Sequence, residues 1–110
     1  MRIWDLPCKR LCRQHLLGEH RELHAIWSVL TSHKKGYARH PETLRWQGRL
    51  RALYARHQAQ VIEMRRRGYN HHSPLNASQA TGIARQTQFV HTPSQQRKIL
   101  KSKGCACKVD

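Results

Sequence analysis

Two stretches of this chain repeat apolar residues at the spacing of an α-helix, and that periodicity limits the fold more than anything else in the sequence. From Arg13 to Ser32 the residues Leu16, Leu23, Trp27 and Leu30 recur every three, four or seven positions, with His20 on the same stripe. A second stripe, Trp46, Leu50, Leu53, His57, Val61 and Met64, follows Pro41-Glu42, where a proline in the first turn and an acid beside it mark a helix start. Gly68 closes that pattern, after Arg65-Arg66-Arg67 in the turn where the helix dipole favours cations. The spacing predicts one long helix from 41 to 67. Asp5-Leu6-Pro7 predicts a short helix over 7–12, and weaker helices are expected near 76–84 and 93–101. No alternating strand pattern or repeat is present. The fold expected is all-α, a small single domain over 1–98 with a basic, flexible tail over 99–110.

Charge then narrows the partner. Among 110 residues, 21 are Lys or Arg and 6 are Asp or Glu, a net charge of +15. Solubility of a small domain needs a net charge of only about 2–8. The excess points to a polyanion, nucleic acid first and an anionic membrane face second. Candidate phosphate contacts are Arg39, Arg45, Arg49, Arg56 and Arg65–Arg67. No apolar run approaches the roughly 18–20 residues of a membrane span, and residues 1–7 lack the apolar stretch of an export signal. A cytoplasmic, DNA-associated monomer is therefore expected, without a membrane partner.

The cysteines divide into Cys8-x(3)-Cys12 and Cys105-x-Cys107. Without export, a disulfide framework is a poor reading. Zinc would require the two pairs to meet in space, or a histidine to complete one of them, and a single intervening residue is tight for one metal. The expectation is free thiols, with no metal and no cofactor.

With so few acids, position matters. On a wheel of about 100° per residue, Glu22 stands at the edge of the first apolar stripe, with His15 about 20° away and Glu19 about 60° away. The plain reading of Glu19 and Glu22 is ion pairing with nearby arginines on a solvated face. Gly18 either lets something approach the helix or is a tolerated defect. Trp27 and Trp46 fall on inner stripes, whereas Trp4 lies outside any stripe, under the N-terminus or against a base.

Several of these segments carry a resemblance. Arg13-Gln14-His15-Leu16-Leu17-Gly18-Glu19-His20-Arg21-Glu22-Leu23 resembles the corresponding helix of the phage endonuclease V-like pyrimidine-dimer DNA glycosylases. Met1-Arg2-Ile3-Trp4-Asp5-Leu6, Gly36-Tyr37-Ala38-Arg39-His40-Pro41 and the exit Arg65-Arg66-Arg67-Gly68-Tyr69 are similar to bacterial members, over about residues 1–75. The resemblance implies an all-α enzyme that bends damaged double-stranded DNA and flips out a nucleotide. It implies attack by an N-terminal α-amino group on C1′, a Schiff base, and β-elimination at the abasic site. Met1 and Glu22 match the catalytic positions, and Arg2, Gln14, His15, Arg21, Arg39, His40 and Arg45 are the expected DNA contacts. Arg2 is a poor second residue for methionine removal, so the amine is expected to be that of Met1 itself. The chain departs from the phage pattern at Ala25, near a DNA-contacting arginine, and in residues 99–110, which hold no aromatic. The competing readings are a non-catalytic basic nucleic-acid-binding module and, more remotely, a zinc-stabilised adaptor.

A groove contacting roughly five to eight phosphates predicts that log K falls with log salt concentration at a slope of about −4 to −7. Binding titrations on duplex DNA at several salt concentrations check this, and a slope near −1 contradicts an extended interface.

Overall fold

The computed structural model describes residues 2–71 and 73–108, and every regular element among them is helical. Met1, the expected nucleophile, lies outside the described residues. Helix α1 covers Arg13–Ser32 and ends at His33, which takes a left-handed conformation (φ 53°). Helix α2 covers Pro41–Leu44, α3 covers Leu50–Arg66 and α4 covers Pro93–Ser102. Single 3-10 turns sit at Cys8–Arg10 and Ala77–Gln79.

The single helix expected from 41 to 67 is divided into α2 and α3. Gly48 adopts φ 76° between them, which no helix interior tolerates. The segment after α3 folds back onto the break. Ile83 N–H donates to the Gly48 carbonyl at 3.0 Å, and the Thr81 carbonyl accepts from Arg51 N–H at 2.8 Å, satisfying a donor that the first turn of α3 leaves open. A Cβ at Gly82 would collide with the Gly48 carbonyl, so the contact depends on that glycine. At the other end of α3, Gly68 (φ 83°) and the Tyr69 N–H to Met64 carbonyl bond (2.8 Å) form the expected stop.

The expected boundary at 98/99 falls inside α4. Thr92 and Gln95 form a capping box with Pro93 in the first turn, and the helix carries Leu100 into the core, where it is 1% exposed. Leu100 packs with Trp4, Leu6, Cys8, Leu11, Leu16 and Met64. Cys105 and Cys107 lie against the same cluster, and Lys108 N–H donates to the Arg10 carbonyl at 2.8 Å. A second cluster joins Ile3, Leu23, Ile26, Trp27, Trp46, Ala52 and Leu53.

Between the helices runs an irregular segment, residues 2–6, without a strand partner. Buried side chains satisfy its backbone instead. Ile3 N–H donates to Glu42 Oε2 (3.2 Å), Trp4 N–H to Glu19 Oε1 (2.6 Å) and Asp5 N–H to Gln96 Oε1 (2.7 Å). Arg45 Nη2 reaches the Ile3 carbonyl (2.9 Å) and Arg56 Nη1 the Leu6 carbonyl (2.7 Å). These same arginines neutralise the acids. Arg45 pairs with Asp5 (2.9 Å) and Glu42 (2.7 Å), and Arg56 pairs with Glu19 (2.9 Å). Glu19 is thus 1% exposed, which corrects its placement on a solvated face.

Removing one partner of such a buried pair leaves the other charge uncompensated, at a cost of about 3–5 kcal/mol. Glu19→Ala is expected to lower stability by that amount in urea unfolding. Glu63 supplies a pH-dependent term. Hydrogen bonds from Arg66 and then Arg67 hold its carboxyl down at about 2. A depressed folded-state pKa contributes stability that is complete above the ordinary carboxylate range and is lost as pH falls toward 2. Melting curves of the parent and of Glu63→Gln should therefore converge between pH 4.5 and 2, and parallel curves contradict the assignment.

Candidate active site

The N-terminal face of α1 forms the floor of a concavity of about 800 Å³. Gln14, His15, Gly18, Arg21 and Glu22 come from α1, Arg2 and Trp4 from the N-terminal segment, and Ile99 and Lys103 from α4. The sequence places these α1 residues together because steps of three, four and seven share a helix face. Gly18 faces open space, with nothing within 4 Å of where a Cβ would lie, so the helix backbone is accessible from the cavity.

The walls are cationic. Arg2, Arg13, Arg21 and Lys103 line the cavity. The Arg2 guanidinium stacks over the Trp4 ring at 4.7 Å, and its Nη1 is buried with no hydrogen-bond partner among the described residues. Trp4, 5% exposed, packs into the core below and stands edge-on to His15 at 5.8 Å. Burial, and then the Lys103 charge, lower the His15 pKa. Both effects favour the neutral ring.

Two carboxylates reach this cavity, and they differ in kind. Glu19 is held from all sides by Arg56, Gln60 and the Trp4 amide. Glu22 is half-buried and is the only acid among the described residues without an ion pair: Asp5, Glu19, Glu42 and Glu63 are each bound to arginine. A carboxylate surrounded by unpaired cations can accept a proton, donate one, or stabilise positive charge on a bound group.

The expected DNA contacts fall into two groups. Arg2, Gln14, His15 and Arg21 line the cavity beside Glu22. Arg39 and His40 do not; they border a separate concavity with Lys35 and exposed Tyr37. There the His40 ring caps α2, its Nδ1 accepting from Glu42 N–H at 3.1 Å. Arg45 cannot serve as a phosphate contact in this arrangement. It is 5% exposed and its guanidinium is occupied by Asp5, Glu42 and the carbonyls of Ile3 and Gln88. Arg56 is likewise turned inward, onto Glu19 and Leu6.

Sequence reading missed two lining residues, Ile99 and Lys103, because the tail was expected to be separate. Cys12, His15, Cys105 and Cys107 form one group of possible metal ligands, the meeting of both cysteine pairs with a histidine that was weighed and set aside above, and His20, His24, His57 and His71 form a second that was not expected. The i, i+4 spacing of His20 and His24 was a signal for the second, whereas His57 read as a core position. Burial, then the neighbouring histidines, push the His24 pKa down to about 4.

No curated protein and no solved structure matches the chain. The model of a family described as pyrimidine dimer DNA glycosylase matches residues 1–77, a span that contains α1, α2, α3 and the N-terminal segment. With most of its length matched, and with the helix that carries Glu22 inside the match, the chain belongs to the pyrimidine dimer DNA glycosylase family.

Proposed function

We propose that this protein is a glycosylase with associated abasic-site lyase activity, and that the α-amino group of Met1 is its nucleophile. The observation that carries the reading is Glu22, a carboxylate without a cationic partner among the described residues, in a cavity lined by Arg2, Arg13, Arg21 and Lys103. Arg2 directly follows Met1 in the chain and lines that cavity.

An α-amino group has an ordinary pKa near 7.7–8.0, so a useful fraction is free base at neutral pH, unlike a lysine. The amine attacks C1′ of a flipped-out nucleotide, the glycosidic bond breaks with its electrons leaving on the base, and the sugar ring opens to a protonated imine. Loss of a C2′ proton then expels the 3′ phosphate by β-elimination. Glu22 is the group that handles protons at the sugar, and Arg2, Arg21 and Gln14 hold the flanking phosphates. His15 lines the same wall.

Glu22→Gln tests this reading. Nicking of duplex DNA bearing a pyrimidine dimer or an abasic site should fall by about 10²–10⁴-fold. Duplex affinity should be unchanged or tighter, and stability should shift by no more than about 0.5 kcal/mol, because no internal partner is lost. A variant that nicks at the parent rate overturns the assignment.

A further inference from the structure

Four imidazoles converge where α1, α3 and the segment after α3 meet. His20 and His24 are one turn apart on α1, His57 is buried on α3, and His71 follows that helix. One ring nitrogen from each lies within 4.8 Å of the other three. Nε2 of His24 stands 3.2 Å from Nε2 of His20 and 3.2 Å from Nε2 of His57. The opposite edges of two rings are fixed from behind. His20 Nδ1 is 2.8 Å from Gln60 Oε1, and His57 Nδ1 is 2.8 Å from Gln58 Oε1.

The orientation of Gln60 sets the tautomer of His20. Its Nε2 donates to Glu19, so its Oε1 is the acceptor that faces His20, and the His20 hydrogen sits on Nδ1. At His57 it is Nδ1 that likewise faces an amide oxygen, that of Gln58. Both rings therefore turn an Nε2 lone pair toward His24 Nε2, which can offer at most one hydrogen. A shared cation satisfies all of them. Zinc–nitrogen bonds of about 2.0–2.1 Å in a tetrahedron place ligand nitrogens roughly 3.4 Å apart, close to the separations here. Amide oxygens on the outer nitrogens are the usual outer support of metal-bound histidine.

We propose that His20, His24, His57 and His71 form a binding site for a divalent transition-metal ion of the zinc type. The ion ties the exit of α3 to α1. Through Gln60 and Glu19 it also braces the amide of Trp4, and with it the N-terminal segment.

A separate cluster carries a second site. Cys12 Sγ lies 3.0 Å and Cys107 Sγ 3.4 Å from His15 Nδ1, and Cys105 completes a group whose ligand atoms all fall within 4.8 Å. The two cysteine pairs thus each contribute to one constellation, joined by the histidine that neither spacing contained. Cys8 stays out of it, in the core. Three cysteines and one histidine are a closed structural zinc set, with sulfur–nitrogen separations of roughly 3.5 Å when metal is bound. The Cys12 amide donates to Cys107 Sγ at 3.0 Å, which fixes that sulfur beside His15. We infer that zinc fastens the segment after α4 to the start of α1 here, and so fixes Lys103 at the cavity wall.

Native mass spectrometry of the full chain tests both sites, with tag-free, reduced protein reconstituted with zinc and desalted. Two ions per chain are expected. One should remain after Cys12→Ser, Cys105→Ser and Cys107→Ser together, and one after His24→Gln with His57→Gln. A folded cysteine variant that binds no zinc overturns the imidazole site, and a folded histidine variant that binds none overturns the cysteine site. Cobalt-loaded parent protein covers the case of a variant that does not fold. A thiolate-to-cobalt charge-transfer band is expected from the cysteine site, and its absence overturns that site. Tetrahedral d–d bands that persist after the thiols are alkylated are expected from the imidazole site, and their disappearance overturns it. A Cys12–Cys107 disulfide in protein isolated under non-reducing conditions also overturns the cysteine site.

Discussion

The ion pair between Glu19 and Arg56 is the contact on which most of this molecule depends. Glu19 comes from the middle of α1 and Arg56 from α3, so the pair joins the two long helices inside the protein. The carboxylate also receives the Trp4 amide and the Gln60 side chain, while Arg56 holds the Leu6 carbonyl. A segment with no strand partner is thereby held at Trp4 and Leu6 by one buried pair. Burying such charges is costly unless nearly every lone pair and proton is satisfied, and here both Glu19 oxygens and all three Arg56 nitrogens are hydrogen-bonded. Arg45 repeats the device on the other side, with Asp5 and Glu42.

This internal use of acids shapes the surface. The chain has 6 acidic residues against 21 Lys and Arg, and four of the described acids are bound to arginine. Arg2, Arg13, Arg21 and Lys103 have no anionic partner among the described residues, so the cavity over α1 has a positive field. Glu22 is the exception placed in that field. The proposed chemistry uses this combination, many cations and one carboxylate that none of them has captured.

The two apolar stripes made α1 and most of α3 readable, and Gly68 and Pro93 marked real helix limits. The break between α2 and α3 was not readable, because it depends on residues 81–83 returning to Gly48, a contact between segments far apart in sequence. Of the site, Arg2, Gln14, His15, Arg21 and Glu22 were expected from the family resemblance; periodicity alone put His15 and Glu22 at the edge of the apolar stripe and read the acid as a surface charge. Glu19 and Arg45 could not be told from surface charges, since burial comes from which helices meet. The metal-ligand clusters were hidden for the same reason: Cys12 and Cys107 touch the same imidazole only when α4 folds back onto α1.

The central claim is that the α-amino group of Met1 attacks the sugar beside Glu22, and reductive trapping addresses it most directly. Duplex DNA with an abasic site is incubated with the protein under borohydride, using a free native N-terminus in one sample and an N-terminal extension in the other. A covalent adduct with the native terminus and none with the extended one is the predicted result. Equal adducts with both would place the nucleophile on a lysine, and no adduct with either, despite tight binding, would leave a DNA-binding protein without this chemistry.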